Sequence, residues 1–412
     1  MRPIASKLTV SAPKPRAIAA PKLGTPTTRN RVIFHGSPEA SMQALRSAIA
    51  GAKRSFYVET FIWHDDAAGN AVIDALAARM AQARAAGEAF DAKVLIDWVG
   101  LHDGKQDAAV LAKLRAIGAE VRTFSPRWID WTNRLIAPIT HRKLYIADGA
   151  RFITGGRNIG DEYLAPTHAD QNGRQVPSWR DLLYTVEGTE TGPVREGFLQ
   201  DWVRAGGTRP AQLAPVEPSA GHVRMRAIAT NPYTQMEGLL DAHLKAIADA
   251  KREILAIYPY FSDTALIDAL IDAKRRRPSL KVNVLLPGTQ DGSLSGRLYD
   301  FVNRGAARKL LAAGIEVRQD GTGTRPFSHL KALALDGRVL SIGSANADER
   351  TFEANCELNT LITDRATTQN FLAQIGRPDW DGATPMTLAQ LDHEPWWSRV
   401  AVRMLTACDR FF

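Results

Sequence analysis

Apolar and polar positions along the chain follow the same order of elements twice. Short runs dominated by apolar residues predict β-strands, and stretches with an apolar residue every three to four positions predict amphipathic helices. A helix opens after the first strand of each half with the matching sequence Ile-Asp-Ala-Leu, at 73–76 and 267–270. The strand-like runs are 55–62 and 93–97 in the first half and 253–261 and 281–286 in the second.

A second helix in each half ends at a glycine, Gly118 or Gly314, where helices commonly terminate. An apolar strand that begins at a histidine comes next, so each half is predicted to run β-α-β-α-β-β. Strands that alternate with helices predict an α/β fold, in which each half is a mixed β-sheet flanked by helices on both faces. The 412 residues suffice for two such domains, and the repeat predicts that a pseudo-two-fold duplication relates them.

A short polar motif recurs inside this repeat. His141-x-Lys143-x4-Asp148 returns as His329-x-Lys331-x4-Asp336, and each copy leads into a glycine turn that ends in an asparagine, Asn158 or Asn346. Every residue of the second copy lies 188 positions after its counterpart. One copy would be weak evidence, because short motifs recur by chance, but two copies with the same downstream turn indicate one active site built by both halves.

The residue types in the motif suit attack on a phosphodiester. Two lysine ammonium groups can offset the negative charge of the phosphate as the transition state develops. One neutral imidazole can attack phosphorus, and the other histidine, when protonated, can donate a proton to the leaving alkoxide. Residues two apart in a β-strand point to the same face, so the histidine and lysine of each copy are predicted to line one cleft.

With these motifs the chain resembles the phospholipase D superfamily in its two-motif, single-chain form. More narrowly, it looks like the short bacterial cardiolipin synthases that lack transmembrane spans. The narrower resemblance is carried by the segments 57–66, 155–163, 343–352 and 355–359, within a likeness that covers about residues 31–378. It implies two tandem phospholipase D-like domains and a phosphohistidine mechanism that needs no metal and no cofactor.

The resemblance also implies a role for each residue of the motif. His141 would attack phosphorus, and His329 would protonate the leaving oxygen and then deprotonate an incoming alcohol or water. The choice of nucleophile stays open, because the two imidazoles form a nearly symmetric, coupled pair. The residues that would hold phosphate oxygens are Lys143, Lys331, Asn158 and Asn346.

Four carboxylates complete the implied site. Asp181 and Glu357 stand at the places where the family has an acidic residue behind each histidine. A carboxylate there would fix the tautomer of the ring and raise the basicity of its other nitrogen. Asp148 and Asp336 belong to the motif and are predicted to brace it through salt bridges rather than to touch substrate.

The formal net charge of +8 is concentrated at the N-terminus. The first 38 residues contain no acidic residue and supply seven positive charges, which leaves the rest of the chain near +1. The arm formed by residues 1–30 is rich in Pro, Ala and Thr, without apolar periodicity, and is predicted to be disordered. It is either a solvated tail or an electrostatic tether to anionic lipid. The near-neutral body disfavours a nucleic-acid partner.

The chain also carries no long apolar stretch. None approaches the ~18 consecutive apolar residues of a membrane span, and the N-terminus lacks the apolar region of a signal peptide. We therefore expect a peripheral protein on the cytoplasmic face of the cell membrane. The two cysteines, Cys356 and Cys408, form no disulfide framework and fit a reducing interior. No His/Cys cluster has the spacing of a metal site.

Two apolar segments are candidates for contact with lipid. Residues 395–412 place apolar residues on one helical face and arginines largely off it, which is typical of an interfacial helix or of a helix docked onto the body. Residues 128–139 carry two tryptophans and run directly into His141, which suits either contact with acyl chains or core packing.

The predicted layout is an arm (1–30), a first domain (31–204), a linker (205–221), a second domain (222–378) and a tail (379–412). The favoured function is a phosphatidyltransferase that forms cardiolipin from phosphatidylglycerol and a second phospholipid. The alternatives are a hydrolase of phospholipids or, less favoured, of nucleic acid, and a non-catalytic relative, which the two intact motifs disfavour. The sequence leaves open the lipids used, the oligomeric state and the need for a partner protein.

Overall fold

The computed structural model describes residues 26–102, 108–124, 138–170, 172–217, 219, 221–233, 238–288, 294–320 and 326–392. The predicted interfacial helix at 395–412, nearly all of the tryptophan-containing segment 128–139 and residues 1–25 of the predicted arm lie outside this part.

The first half contains strands and helices in the order predicted, with additions at both ends. Its strands are β1 (Thr27–His35), β2 (Ser55–Thr60), β3 (Asp91–Asp97), β4 (Glu120–Phe124), β5 (Lys143–Ala147), β6 (Arg151–Gly155), β7 (Thr167–Ala169), β8 (Gln175–Pro177) and β9 (Leu183–Gly188). Its helices are α1 (Pro38–Gly51), α2 (Ala67–Ala85), α3 (Ala108–Ala116), α4 (Asp161–Leu164) and α5 (Thr191–Arg204), with a 3₁₀ turn at Gly100–His102.

The second half repeats most of this order. Its strands are β10 (Val223–Thr230), β11 (Glu253–Ile257), β12 (Lys281–Pro287), β13 (Glu316–Asp320), β14 (Ala332–Leu335), β15 (Val339–Gly343), β16 (Glu357–Ile362) and β17 (Thr384–Pro385). Its helices are α6 (Leu239–Asp249), α7 (Thr264–Arg276), α8 (Leu294–Ala312), α9 (Glu349–Glu353), α10 (Arg365–Phe371), α11 (Arg377–Gly382) and α12 (Leu388–Asp392), and a π-helical turn (Leu372–Gly376) joins α10 to α11.

Fifteen of these strands form one mixed sheet in the order β17-β13-β12-β11-β14-β15-β16-β10-β1-β9-β6-β5-β2-β3-β4. The sequence predicted one sheet for each half, and the structure joins the two through the antiparallel pair β1 and β10, in which Thr27 lies opposite Met225. Residues 27–30, assigned to the arm by their sequence, therefore belong to the central strand β1.

The strand registers confirm the duplication. In the first half β2 pairs with β5 so that Glu59 lies opposite Leu144, and in the second half β11 pairs with β14 so that Ile257 lies opposite Ala332. Leu144 and Ala332 are 188 residues apart, the spacing of the two motifs. The two motif strands therefore occupy equivalent places in the two halves of the sheet.

Helices cover both faces of the sheet, as predicted. In β2, Phe56 and Val58 pack into a core with α1, α2 and α3, whereas Tyr57 points to the other face and packs with Phe198 of α5. A separate core in the second half includes α7 and α8. The α5 side of the sheet carries a core shared by both halves. Helices on both faces explain why the residues of β2 and β3 are buried almost throughout.

The connection between the halves lies between α5 and β10, where the described residues contain no helix or strand. The linker boundaries at 205 and 221 stay predictions. Part of the predicted tail belongs to the second half of the sheet, since β17 pairs with β13. Within the part of the chain that the structure describes, no helix combines the length and the apolar character that crossing a bilayer requires.

Candidate active site

The two motif strands are each anchored by the opposite half of the chain. The backbone N–H of His141 donates to the carbonyl of Cys356 at 2.9 Å, and Thr140 forms a parallel bridge with that residue. The backbone N–H of His329 donates to the carbonyl of Arg180 at 2.7 Å. Each histidine therefore lies just before its motif strand, with its backbone hydrogen-bonded to a segment of the other half.

Each imidazole is also held by a carboxylate from the other half. Nδ1 of His141 lies 3.0 Å from Oε1 of Glu357, and Nδ1 of His329 lies 2.7 Å from Oδ2 of Asp181. The sequence predicted an acidic residue behind each histidine, and the structure brings all four groups together. Both pairs are formed across the halves. Since each carboxylate contacts Nδ1, Nε2 is the nitrogen of each ring that does not face a carboxylate.

Both motif lysines are fully buried beside the histidines. Nζ of Lys143 donates to the carbonyl of His141 at 2.6 Å, and Nζ of Lys331 donates to the carbonyl of His329 at 2.6 Å. Nζ of Lys331 also lies 2.8 Å from Nδ1 and 2.9 Å from Nε2 of the His329 ring. Burial lowers the pKa of Lys331 to about 8, and burial together with the charge of Lys331 lowers the pKa of Lys143 well below its usual value.

The two predicted asparagines are buried as well. The Oδ1 atoms of Asn158 and Asn346 lie out of solvent and have no hydrogen-bond partner among the described residues. A buried amide with an unmatched polar atom is costly, and two of them at matched positions indicate groups reserved for a ligand. The oxygen and nitrogen of a side-chain amide are assigned from the surrounding hydrogen bonds. Each asparagine can therefore turn either its oxygen or its NH2 group toward that ligand.

The turns before the asparagines differ between the halves. A Cβ atom at Gly156 would lie 2.4 Å from Oδ1 of Asp181, so only glycine leaves room for this carboxylate. The equivalent residue, Ser344, donates its hydroxyl to Oε2 of Glu357 at 2.5 Å. In the sequence, Ser344 is only part of the glycine turn, and no motif indicates its hydrogen bond to Glu357.

Asp148 and Asp336 lie at the ends of β5 and β14 that are remote from the lysines. Each carboxylate accepts three backbone N–H groups that lead into the neighbouring strand, from Lys53, Arg54 and Ser55 or from Lys251, Arg252 and Glu253, at 2.7 to 3.0 Å. Among the described residues these amides, and not the side-chain cations that the sequence predicted, bind both carboxylates. The two aspartates have φ angles of 60° and 53°, in the left-handed region that aspartate tolerates better than most residues.

The electrostatics of the two histidines follow from burial and from the lysines. Burial, and then the charges of Lys143 and Lys331, lower the pKa of His141 well below its usual value. Burial and Lys331 lower the pKa of His329 to about 3, against the opposing effect of Asp181. Both rings are therefore neutral at neutral pH in the free protein, which is the state in which imidazole is a nucleophile.

The carboxylates differ from one another. Burial raises the pKa of Glu357 to about 8, only partly opposed by the charge of Lys143. Burial also acts to raise the pKa of Asp181, but Lys331 and His329 outweigh it, so that this pKa is lowered overall. The pKa shifts of the two carboxyl groups therefore have opposite signs, downward for Asp181 and upward for Glu357.

Aromatic rings that sequence reasoning did not single out surround the two histidines unequally. Phe61 meets His141 edge-on, with ring centres 5.2 Å apart. His329 has Trp179 at 5.4 Å, Tyr163 at 5.6 Å and Phe327 at 6.4 Å. Phe61, Tyr163 and Trp179 lie inside segments that carried the family resemblance or flanked Asp181, which was the only available signal.

The described residues contain no cluster of three or more His, Cys, Asp or Glu side chains that could hold a metal ion. The chemistry within reach of this geometry is attack by an imidazole Nε2 on an anionic centre held by lysine and amide groups, with the second imidazole as proton carrier.

Comparisons with known proteins show which family this chain is similar to. The family model for the cardiolipin synthase phospholipase D-like domain matches residues 243–380. Cardiolipin synthase A of Pseudomonas entomophila (strain L48) is 31% identical over 376 residues, which cover 90% of this chain and 73% of that protein. The major cardiolipin synthase ClsA of Bacillus subtilis (strain 168) is 29% identical over 363 residues, covering 87% of this chain and 70% of that protein.

A solved structure shares the fold. The crystal structure of phosphatidylserine synthase from Haemophilus influenzae Rd KW20 superposes with a TM-score of 0.69, covering 92% of this chain and 95% of that one. Its sequence identity is 14%, so the likeness shows the tandem fold and nothing about the substrate.

Proposed function

This chain belongs to the cardiolipin synthase family of phospholipase D-like proteins, and we propose that it is a phosphatidyltransferase that forms cardiolipin from phosphatidylglycerol and a second phospholipid. The observation that carries the proposal is the pair of histidine–carboxylate contacts formed across the halves, at 3.0 Å and 2.7 Å, beside two buried lysines. Both lysines act electrostatically on His141, which is what a single composite site requires.

In the first step of the proposed reaction, Nε2 of His141 attacks the phosphorus of a phospholipid. The P–O bond to the headgroup alcohol breaks as the P–N bond forms, and His329 gives its proton to the departing alkoxide. The phosphodiester is an anion and opposes the lysine charges that lower the pKa of His329, so bound substrate stabilises the proton that this step consumes.

In the second step, the hydroxyl of another phospholipid attacks the phosphorus of the phosphohistidine. His329 takes the hydroxyl proton, the P–N bond breaks, and His141 is released. When the acceptor is phosphatidylglycerol, its glycerol then bridges two phosphatidyl groups and the product is cardiolipin. Lys143, Lys331, Asn158 and Asn346 hold the non-bridging oxygens in both steps. Water as the acceptor would give phosphatidic acid through the same intermediate.

The phospholipid substrates of the proposed reaction reside in a membrane, so we propose a membrane surface as the site of action. We place the protein peripherally on the cytoplasmic face of the cell membrane, attracted to anionic lipid by the basic residues of 1–30. Sedimentation with vesicles that contain increasing fractions of phosphatidylglycerol, at low and high salt, measures this attraction. Binding that ignores both anionic lipid and salt would contradict it.

The direct test uses purified protein with liposomes of phosphatidylglycerol, with and without phosphatidylethanolamine, and mass spectrometry of the lipid products. His141→Ala is the inactive variant, and His222→Ala, at an exposed position, is the matched control. Cardiolipin formed by the intact protein and by the control, but not by His141→Ala, supports the proposal. Phosphatidic acid alone makes water the acceptor and the protein a hydrolase, and the absence of any lipid product overturns the lipid assignment.

A further inference from the structure

Two buried arginines hold the two carboxylate residues of the site by their backbones. Nε of Arg142 donates to the carbonyl of Glu357 at 3.1 Å, and a terminal nitrogen of Arg157 donates to the carbonyl of Asp181 at 2.6 Å. Arg142 is 2% exposed and Arg157 is fully buried. Arginine is almost never fully buried unless its charge is paired, so the partners of both side chains need to be identified.

Arg157 binds the segment that carries Asp181, the partner of His329. Besides the carbonyl of Asp181, its guanidinium donates to the carbonyl of Trp179 at 3.1 Å, to that of Gly36 at 3.2 Å and to that of Tyr163. Four carbonyls from three separate stretches of the first half thus converge on one side chain. Movement of this guanidinium would move Asp181, which lies 2.7 Å from the ring of His329.

The charge on Arg157 is used differently from the charge on Arg142. Arg142 forms ion pairs with Asp201 and, at 3.7 Å, with Glu59, so its charge is matched locally. Among the described residues, Arg157 makes no ion pair within 4 Å, and Asp181 is the anion that acts most strongly on it. Burial lowers the pKa of Arg157 to about 10, so the guanidinium stays charged at neutral pH and its charge acts on Asp181.

Neither arginine is part of the duplicated motif. The residues 188 positions further on are Leu330 and Ala345, both buried and apolar. The second half therefore has no arginine at either equivalent position. Asp181, whose pKa is lowered, is bound by Arg157, and Glu357, whose pKa is raised, is bound by Arg142, whose charge is paired with other carboxylates.

We infer that Arg157 is a positioning residue that places Asp181 against His329 and keeps this carboxylate ionised, so that His329 can carry the proton of the reaction. The inference rests on the proposed function for the role of His329. The groups that act on Asp181 or on which it acts are His329, Lys331, Lys143, Tyr163 and Arg157.

The test compares Arg157→Met, which removes the charge, with Arg157→Gln, which keeps two N–H donors for carbonyls, and with Arg157→Lys, which keeps the charge. Arg79→Met is the matched control, since Arg79 is 8% exposed and donates to the backbone carbonyls of Ala52 and Lys53, in the turn held by Asp148 rather than at the histidines. Two readouts are collected for each: kcat and KM for cardiolipin formation across pH, and the NMR signal of the proton shared by His329 and Asp181.

Without the guanidinium charge, burial is less strongly opposed and the pKa of Asp181 rises. Activity that needs the ionised carboxylate is lost as pH falls through this pKa, so the acidic limb of kcat moves to higher pH in Arg157→Met and Arg157→Gln. We expect kcat at neutral pH to fall by about 10- to 100-fold, with KM nearly unchanged, since Arg157 does not touch the phosphate. Arg157→Lys restores the pH profile.

A purely structural role would lower the thermal midpoint of Arg157→Met and Arg79→Met alike and leave the pH profile of the folded fraction unmoved, and this result overturns the inference. If Arg157→Met does not fold, Arg157→Gln and Arg157→Lys decide by the same profile. The NMR signal separates the two proposals: its pH dependence shifts in the neutral variants even if no lipid product is ever found. An unshifted signal overturns the inference whatever the reaction is.

Discussion

The two histidines occupy equivalent places in a duplicated fold, yet their surroundings differ. The His329 side chain is 5% exposed, lies among four aromatic rings, those of Tyr163, Trp179, Tyr260 and Phe327, and bonds an aspartate whose pKa is lowered. The His141 side chain is 12% exposed, meets one aromatic ring among the described residues and bonds a glutamate whose pKa burial raises. A carboxylate with a lowered pKa stabilises imidazolium, which supports His329 as the proton carrier of the proposed reaction.

The largest expected effect separates these roles. His141→Ala removes the nucleophile and should abolish turnover of every donor. His329→Ala should lower kcat about 10²- to 10⁴-fold for a natural donor, the usual contribution of a general acid. A donor with a p-nitrophenol leaving group needs no acid, so with it His329→Ala should form the covalent intermediate at a nearly normal rate. Rapid-quench detection of p-nitrophenol release checks this, and a burst from His141→Ala would reverse the assignment.

The carboxylates should respond unequally to loss of charge. Asp181→Asn replaces an ionised partner and is expected to lower kcat at pH 7 by about 10- to 100-fold. Glu357→Gln replaces a carboxyl whose pKa burial raises with a neutral group of similar shape, so less charge is lost and the effect should be several times smaller. Steady-state rates of both variants measured side by side decide the matter. Equal losses would mean that both carboxylates carry the same charge in the working enzyme.

The pH profile tests the lysine beside His329. The pKa of Lys331 is lowered to about 8, so its charge is present below that pH and is lost as pH rises through it. Affinity for the anionic phosphodiester should therefore weaken above pH 8, seen as a rising KM. Lys331→Arg keeps the charge at any accessible pH and should move this limb upward. A KM that stays flat to pH 9.5 in the parent protein would contradict the lowered pKa.

The smallest difference is expected where the halves are most alike. Asp148→Ala and Asp336→Ala each remove a carboxylate that binds three backbone N–H groups at a positive φ angle. Each should lower the free energy of unfolding by about 1 to 2 kcal/mol, with little change in kcat of the folded protein. Thermal unfolding followed by circular dichroism measures the first and an assay at low temperature the second. A large loss of kcat without loss of stability would place these aspartates in the chemistry after all.

The sequence predicted what repeats and what is local. The motif strands and the alternation of strands and helices were readable, because each depends on spacing along the chain, and Asp181 and Glu357 were implied by the family resemblance. The pairing of each carboxylate with the histidine of the other half was not, since it depends on how the two halves join. That junction uses β1, whose first residues, Thr-Thr-Arg-Asn-Arg, are polar and basic and so were assigned partly to the arm.

The sequence also did not indicate which charged residues are buried. Arg142 and Arg157 look like surface residues by type, and only the packing around them shows that they are enclosed. Salt bridges were predicted for Asp148 and Asp336, but among the described residues their carboxylates bind backbone amides, which no pattern of side chains can indicate. In each case the missing information is which atoms of the main chain point at the residue.

The pairing of His141 with Glu357 has a consequence during synthesis of the protein on the ribosome. These residues are 216 positions apart, which corresponds to roughly 10 to 40 s of translation at typical rates. Until Glu357 has emerged, the first half has its histidine and lysine but not the carboxylate that bonds this histidine. A nascent or prematurely terminated chain that stops before Glu357 therefore lacks part of the proposed site.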